Sequence, residues 1–208
     1  MRDIVIVGTG GFSREVAWLI QRINGYEKQW NLLGYISDEN ALDVIGDDDY
    51  LCSYNKELSV VIGIGSSVLR EKLSKKYKIN KNLSFPNLID PSVILSSSIK
   101  LGEGNIFCAG NIATVDIEIG SFNLINLSCT IGHDTIIEDY VTVNPGVNIS
   151  GNVKLRSGSC IGTGAKLIQG VCVGKNAVIG AGAVVINSIP ANCTAVGVPA
   201  KSIKFLEE

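Results

Sequence analysis

The chain carries one histidine, His133, in the run Ile131-Gly132-His133-Asp134. Imidazole takes up and releases a proton near neutral pH, which suits it to general-base work. A carboxylate, Asp134, follows directly. Adjacent side chains of an extended strand point apart, so Asp134 orients the ring only where the backbone bends. Gly151 stands eighteen residues on, and Asn126 seven residues before. If residue n winds onto residue n+18, Gly151 leaves a slot over the ring and a bare backbone N–H beside it. Asn126 then stacks under Asn144 on the same flank. A base, a backbone donor and an amide in one groove suit proton removal from a nucleophile and stabilisation of an oxyanion. The plain alternative is a surface histidine without a role.

The winding follows from a repeat. In steps of six from Leu95 to Val185, all sixteen positions are apolar. A second row, four residues further on, is small or aliphatic from Val141 to Ile189. Glycine often follows the first row: Gly102, Gly120, Gly132, Gly162, Gly174 and Gly180. A period of six matches neither a helix nor a two-faced strand; it is the hexapeptide β-helix signature. Three hexapeptides close a coil of eighteen residues, with strands of successive coils about 4.8 Å apart. The repeat predicts about five coils with the apolar row inside and the glycines at the corners.

Ahead of the repeat the pattern changes. Residues 3–7 are a continuous apolar strand after Asp3, followed by Gly8-Thr9-Gly10-Gly11-Phe12-Ser13 and an amphipathic helix through about Ile23. A strand, a glycine turn and a helix form the phosphate-binding βα geometry, although Ser13 stands where a third glycine would complete the dinucleotide pattern. Leu32 to Ile36 reads as a second strand ending at Asp38, and Leu58 to Ile62 as a third ending at Gly65 and Ser66. The acidic stretch Asp43 to Asp49 reads as solvated. A helix through about Tyr77 should carry its Lys and Arg outward.

Gly10, Gly11, Asp38, Gly65 and Ser66 then share one carboxyl edge, a crevice the size of a nucleotide. Tight turns without a ligand are the alternative. Phe85 to Pro91, with two prolines, divides an α/β domain at 1–88 from the β-helix domain and its short tail at 89–208. The first domain is expected to cap the first coil.

A net charge of −2 without a basic patch argues against nucleic acid. No apolar run is long enough to span a bilayer. The start lacks the cleavage pattern of a signal peptide. Six cysteines form no CxxC pair and no metal spacing, which points to reduced thiols, a cytoplasmic setting and no metal. Cys129 falls on the second inward row and reads as a small buried hydrophobe.

Taken together, the hexapeptide repeat, Ile131-Gly132-His133-Asp134, Gly151-Asn152-Val153, Gly197-Val198-Pro199-Ala200-Lys201 and the loop Gly8-Thr9-Gly10-Gly11 resemble one family. It is that of the sugar acetyltransferases joining a Rossmann-like half domain to a left-handed parallel β-helix. Its members include the N-acetyltransferases of bacillosamine and perosamine biosynthesis and the sialic acid O-acetyltransferases of the NeuD type.

The resemblance implies a homotrimer with sites between neighbouring β-helices and acetyl-CoA along the groove. It implies that His133 removes the amine proton, that Asp134 (often Glu in relatives) supports it, and that the Gly151 N–H binds the thioester oxygen. Asn126 matches a substrate-side asparagine. Thr163 and Ala181 match positions along the coenzyme groove, and the tail from Gly197 to Lys201 lies near the coenzyme. The nucleotide would lie against Gly10, Gly11, Asp38, Gly65 and Ser66. Phe12 departs from relatives that carry histidine in the glycine loop.

The expected activity is direct N-acetylation of a nucleotide-linked 4-amino-4,6-dideoxy sugar. Sugar O-acetylation and a non-catalytic β-helix binding module are the alternatives. A zinc hydratase is disfavoured, since one histidine per chain supplies three ligands only if three chains converge.

Overall fold

The computed structural model describes residues 1–39 and 41–205. The N-terminal half is a five-stranded parallel sheet. Its elements are β1 (Arg2–Val7), α1 (Gly11–Tyr26), β2 (Trp30–Ile36), β3 (Val44–Gly46), α2 (Asp48–Ser53), β4 (Leu58–Ile62), α3 (Ser67–Tyr77) and β5 (Leu83–Ser84). Strand order is β3-β2-β1-β4-β5. All five residues of β4 and the last four of β1 are buried, as strands covered on both faces require.

Helix α1 runs about one turn past Ile23, ending where Glu27 turns extended and donates its N–H to the Ile23 carbonyl at 2.8 Å. The acidic stretch is not merely solvated. It forms β3 and α2, with Asp47 capping α2 through the Tyr50 N–H at 2.9 Å. Asp48 pairs with Lys76 at 2.7 Å and accepts from the Tyr77 hydroxyl.

The second half is a triangular parallel β-helix with three faces. Face I runs from Leu88–Ile89 to Val178–Ile179, face II from Ile94–Leu95 to Val184–Val185, and face III from Lys100–Leu101 to Cys172–Val173. Each two-residue strand pairs with the strand eighteen residues on; Thr130 meets Asn148 and Ile131 meets Ile149. The interior core holds the six-step row from Phe107 to Val185, with Leu95 and Leu101 partly buried against it. Removing such a side chain, as in Ile131→Ala, costs about 2–5 kcal/mol.

The corners depart from expectation. The glycines that follow the apolar row do not turn them. The turning residue lies two positions later, and every sixth residue from Gly104 to Gly182 has φ between 54° and 79°. Seven of these fourteen are not glycine: Asp116, Phe122, Ser128, Asp134, Tyr140, Asn152 and Asn176. The earlier glycines serve close approach instead. A Cβ added to Gly162 would sit 2.5 Å from the Ile179 carbonyl oxygen of the next coil.

The early part of the second inward row is also unexpected. It buries Asn105, Asn111, Asn123 and Thr135. The Asn105 side chain accepts the Asn123 N–H at 2.9 Å, and the Asn123 side chain accepts the Val141 N–H at 2.7 Å. This ladder satisfies backbone donors at a corner where no strand partner exists.

The N-terminal half does not cap the first coil. Helix α1 packs on outward residues of three successive coils of face I, Leu88, Ile106 and Leu124. Arg22 of α1 holds Asp90 through two hydrogen bonds, at 2.5 and 3.0 Å. Helix α3 does not carry all its cations outward: Arg70, Leu73, Ser74 and Tyr77 form its buried stripe. The far end of face I continues into Cys193–Val196 and an antiparallel strand, Lys201–Phe205. No helix among the described residues is long and apolar enough to cross a membrane.

Candidate active site

His133 stands at the corner between faces II and III, just past the strand Thr130–Ile131. Asp134 is the turning residue there, at φ 58°. Asp tolerates this left-handed conformation better than most side chains. The bend brings two adjacent side chains onto the same side. Nδ1 of His133 lies 2.7 Å from Oδ2 of Asp134, and both side chains remain more than half exposed. The carboxylate selects the tautomer with hydrogen on Nδ1, which leaves Nε2 as an acceptor.

Gly151 of the next coil lies against the far edge of the ring. A Cβ added to Gly151 would fall 2.5 Å from Cε1 of His133. Below it, a Cβ on Gly132 would come 2.6 Å from the Gly151 nitrogen. At Gly132 the obstacle is backbone, whereas at Gly151 it is only the imidazole side chain. The His133 carbonyl accepts the Asn152 N–H at 2.7 Å, which ties the two coils beside the ring. The Gly151 N–H donates to nothing among the described residues. A free imidazole nitrogen and an unused amide donor thus share one corner.

Asn126 does not join them within one chain. It follows the strand Leu124–Ile125 and lies at the corner between faces I and II, its Oδ1 accepting the Leu127 N–H at 2.7 Å. Seven residues span a whole face, so the single-groove arrangement expected from spacing is not what one coil provides. Thr163 and Ala181 are exposed at this same face I–II corner, further along the column. The predicted site residues therefore form two columns flanking face II. The tail reaches the top of that face, where the Gly197 carbonyl accepts from Val184 at 3.0 Å and the Ala200 N–H donates to Val184 at 2.8 Å.

In the N-terminal half, the carboxyl ends of β1, β2 and β4 carry the other predicted residues. Gly10 precedes the first turn of α1 without a side-chain cap, and Asp38 is exposed after β2. A Cβ at Gly10 or Gly65 would meet nothing within 4 Å, so both border open space. Ser66 caps α3, accepting the Leu69 N–H at 3.4 Å. Ser13 is fully buried and donates to the Gly63 carbonyl at 2.9 Å, which ties the first and third loops together. Its hydroxyl does structural work at the place of the missing third glycine. Phe12 packs against the core between α1 and the β-helix.

Sequence reasoning missed two features. One is a cavity of about 250 Å³ between α1 and the face I–II corner, lined by Glu15, Trp18, Leu19, Asp90, Cys108, Ala109 and Leu127. The other is Arg70. Burial pushes the Cys108 thiol up to about 12, so it stays protonated and is no nucleophile. All six cysteines are free thiols.

The chain matches the family model described as the PglD N-terminal domain over residues 3–77. Among solved structures, it is similar to PerB from Caulobacter crescentus, solved with CoA and GDP-perosamine. Identity is 30%, 98% of each chain is covered, and the TM-score is 0.88. The acetyltransferase domain of PglB from Neisseria gonorrhoeae FA1090, solved with acetyl coenzyme A, is 27% identical over 97% of this chain and 99% of that one, at a TM-score of 0.89. WeeI from Acinetobacter baumannii AYE is 29% identical over 98% and 100%, at 0.85. No curated protein sequence matches the chain.

A half-size Rossmann-like sheet joined to a left-handed hexapeptide β-helix defines this chain as an acyltransferase. The likeness to these structures extends over both halves. The chain belongs to the family of sugar N-acetyltransferases in which a PglD-type N-terminal domain precedes the β-helix.

Proposed function

We propose that the protein transfers an acetyl group from acetyl-CoA directly to the 4-amino group of a nucleotide-linked 4-amino-4,6-dideoxy sugar, with His133 as the general base. The observation that carries this reading is the His133 ring, oriented by Asp134 at 2.7 Å with Nε2 left free beside Gly151. Its relative PerB was solved with CoA and GDP-perosamine, and the PglB domain with acetyl coenzyme A.

The neutral amine nitrogen attacks the thioester carbonyl carbon. As the C–N bond forms, the carbonyl pair moves onto oxygen and Nε2 of His133 takes the amine proton. The Gly151 N–H donates to the oxyanion; one such donor is worth about 10²–10³ in rate. Collapse breaks the C–S bond, and the departing thiolate takes the proton from the imidazolium. No covalent acyl-enzyme is needed. Cys108 is protonated and buried.

The nucleotide lies against Gly10, Gly11, Asp38, Gly65 and Ser66. Thr163 and Ala181 line the coenzyme, the tail from Gly197 to Lys201 lies near it, and Asn126 faces the sugar. The two columns flank face II, so a site using both takes one column from each of two neighbouring copies. A homotrimer supplies three such sites. Six free thiols fit a reducing, cytoplasmic setting.

The test is a panel of GDP-, UDP- and dTDP-linked 4-amino sugars, assayed with acetyl-CoA for thiol release. One nucleotide series should turn over, with the product acetylated at nitrogen. Thiol release only with free sugars, or product acetylated at oxygen, refutes the proposal.

A further inference from the structure

Arg70 lies on the buried stripe of α3 and is 2% exposed. Its guanidinium binds no carboxylate among the described residues; it donates to oxygens on both sides of the junction between the two halves. Toward the crevice, Nη1 donates to the carbonyls of Ile64 at 3.0 Å and Gly65 at 2.7 Å. Toward the β-helix, Nε donates to Phe122 at 3.1 Å, and Nη2 to Tyr140 at 3.0 Å and to the Thr142 hydroxyl at 2.9 Å. Phe122 and Tyr140 are the two aromatic residues held at positive φ on successive coils, their rings stacked 5.7 Å apart. Burial lowers the guanidinium to about 10, so it stays charged at neutral pH.

A trans peptide directs its N–H opposite to its C=O. The Ile64 and Gly65 carbonyls point inward to Arg70, so the Gly65 and Ser66 amides point outward. Neither amide donates to a group among the described residues. The space in front of Gly65 is open, since an added Cβ meets nothing within 4 Å. Two successive amides facing one space form a concave anion site, with an uncompensated positive charge behind it.

We infer that Arg70 is a positioning residue for the nucleotide sugar. It turns the Gly65 and Ser66 amides toward a phosphate in the crevice and locks that loop to two coils of the β-helix. This role rests on the reading of the crevice as the nucleotide site. Lysine cannot replace it, because three donors on one nitrogen do not span acceptors on both sides.

The experiment measures KM for the nucleotide sugar and for acetyl-CoA in three variants of the full chain. Arg70→Lys should raise the nucleotide-sugar KM about tenfold, with the acetyl-CoA KM within about twofold. Thr142→Val removes the hydroxyl that accepts from Arg70 at 2.9 Å and itself donates to the Gly65 carbonyl at 3.3 Å, so it loosens the same loop from the β-helix side. It should raise the same KM about threefold, and it tests the role independently should Arg70→Lys fail to fold. Gly65→Val pushes a side chain into the crevice and tests the crevice itself. A raised KM in Gly65→Val beside unchanged values in the other two overturns the role of Arg70 alone. An unchanged KM in Gly65→Val overturns the crevice reading and this inference with it. Equal rises in both KM values for Arg70→Lys would also overturn it, since a general loosening has no preference between substrates.

Discussion

Nδ1 of His133 lies 2.7 Å from Oδ2 of Asp134, its neighbour in the chain. The contact exists because Asp134 is the corner residue, at φ 58°. Asp134 therefore has two functions, turning the backbone and fixing the imidazole tautomer, and substitutions separate them. Asn keeps both the left-handed preference and an oxygen for Nδ1–H but removes the charge. Asp134→Asn should lower kcat about tenfold with the melting temperature unchanged. Asp134→Val should lose more activity and also melt earlier, because β-branched residues resist positive φ. His133→Ala, at an exposed position, should keep its melting temperature and lose about 10²–10⁴ in kcat. Full activity in folded His133→Ala refutes the base.

Gly151 faces the same ring from the next coil. A methyl group at Gly151 would overlap the imidazole rather than backbone. An exposed ring can swing away, so Gly151→Ala should fold and lose about 10²–10³ in kcat through displacement of the base and crowding of the amide donor. Gly162→Ala provides the contrast. Its Cβ meets backbone of the next coil at 2.5 Å, so destabilisation should dominate there. Calorimetry beside kinetics distinguishes the two. A Gly151→Ala enzyme with unchanged kcat would show that the added methyl neither displaces the ring nor crowds the amide, since alanine keeps the backbone N–H.

These relationships differ in how far the sequence reveals them. The interior row is plain because Ile131, Ile137 and Val143 share one chemistry at one period. The eighteen-residue count likewise places Gly151 over His133. The corner row is hidden because Asp116, Phe122, Ser128 and Tyr140 share a backbone conformation and no side-chain property. Arg70 reads as an outward cation by its charge. Its burial is decided by oxygens of Phe122, Tyr140 and Thr142, more than fifty residues away. Asn126 is near His133 in sequence, yet a whole face of the column separates them. Spacing along the repeat registers stacking well, but grouping across a corner depends on three-dimensional angle.

Asp90 makes acid stability a measure of the junction. Its side chain is 1% exposed. Burial pushes its carboxyl up, but hydrogen bonds from Arg22 and Ser92 together with the Arg22 charge hold it below the ordinary value of 3.8. A group depressed in the folded state stabilises above its unfolded value, and that contribution fades as pH falls through the folded value. Unfolding free energy should therefore drop as pH falls below about 4. Arg22→Met should melt earlier at pH 7 and show a weaker drop across that acid range. An unchanged acid profile in Arg22→Met would mean the pair does not hold α1 to the β-helix.

A site divided between two columns makes a prediction about mixing. Asn126, Thr163 and Ala181 lie at one corner of face II; His133 and Gly151 lie at the other. The assembled protein should have about three times the 22.1 kDa chain mass in sedimentation equilibrium. His133→Ala and Thr163→Trp trimers should each be nearly inactive, since one lacks the proposed base and the other blocks the proposed coenzyme column. Denatured together in equal amounts and refolded, they form interfaces that pair an intact His133 from one parent with an intact Thr163 from the other. Random assembly makes about a quarter of the sites complete on both sides, so activity should return to about a quarter of wild type. A site contained within one chain gives no recovery at any mixing ratio, because every chain carries one of the two lesions.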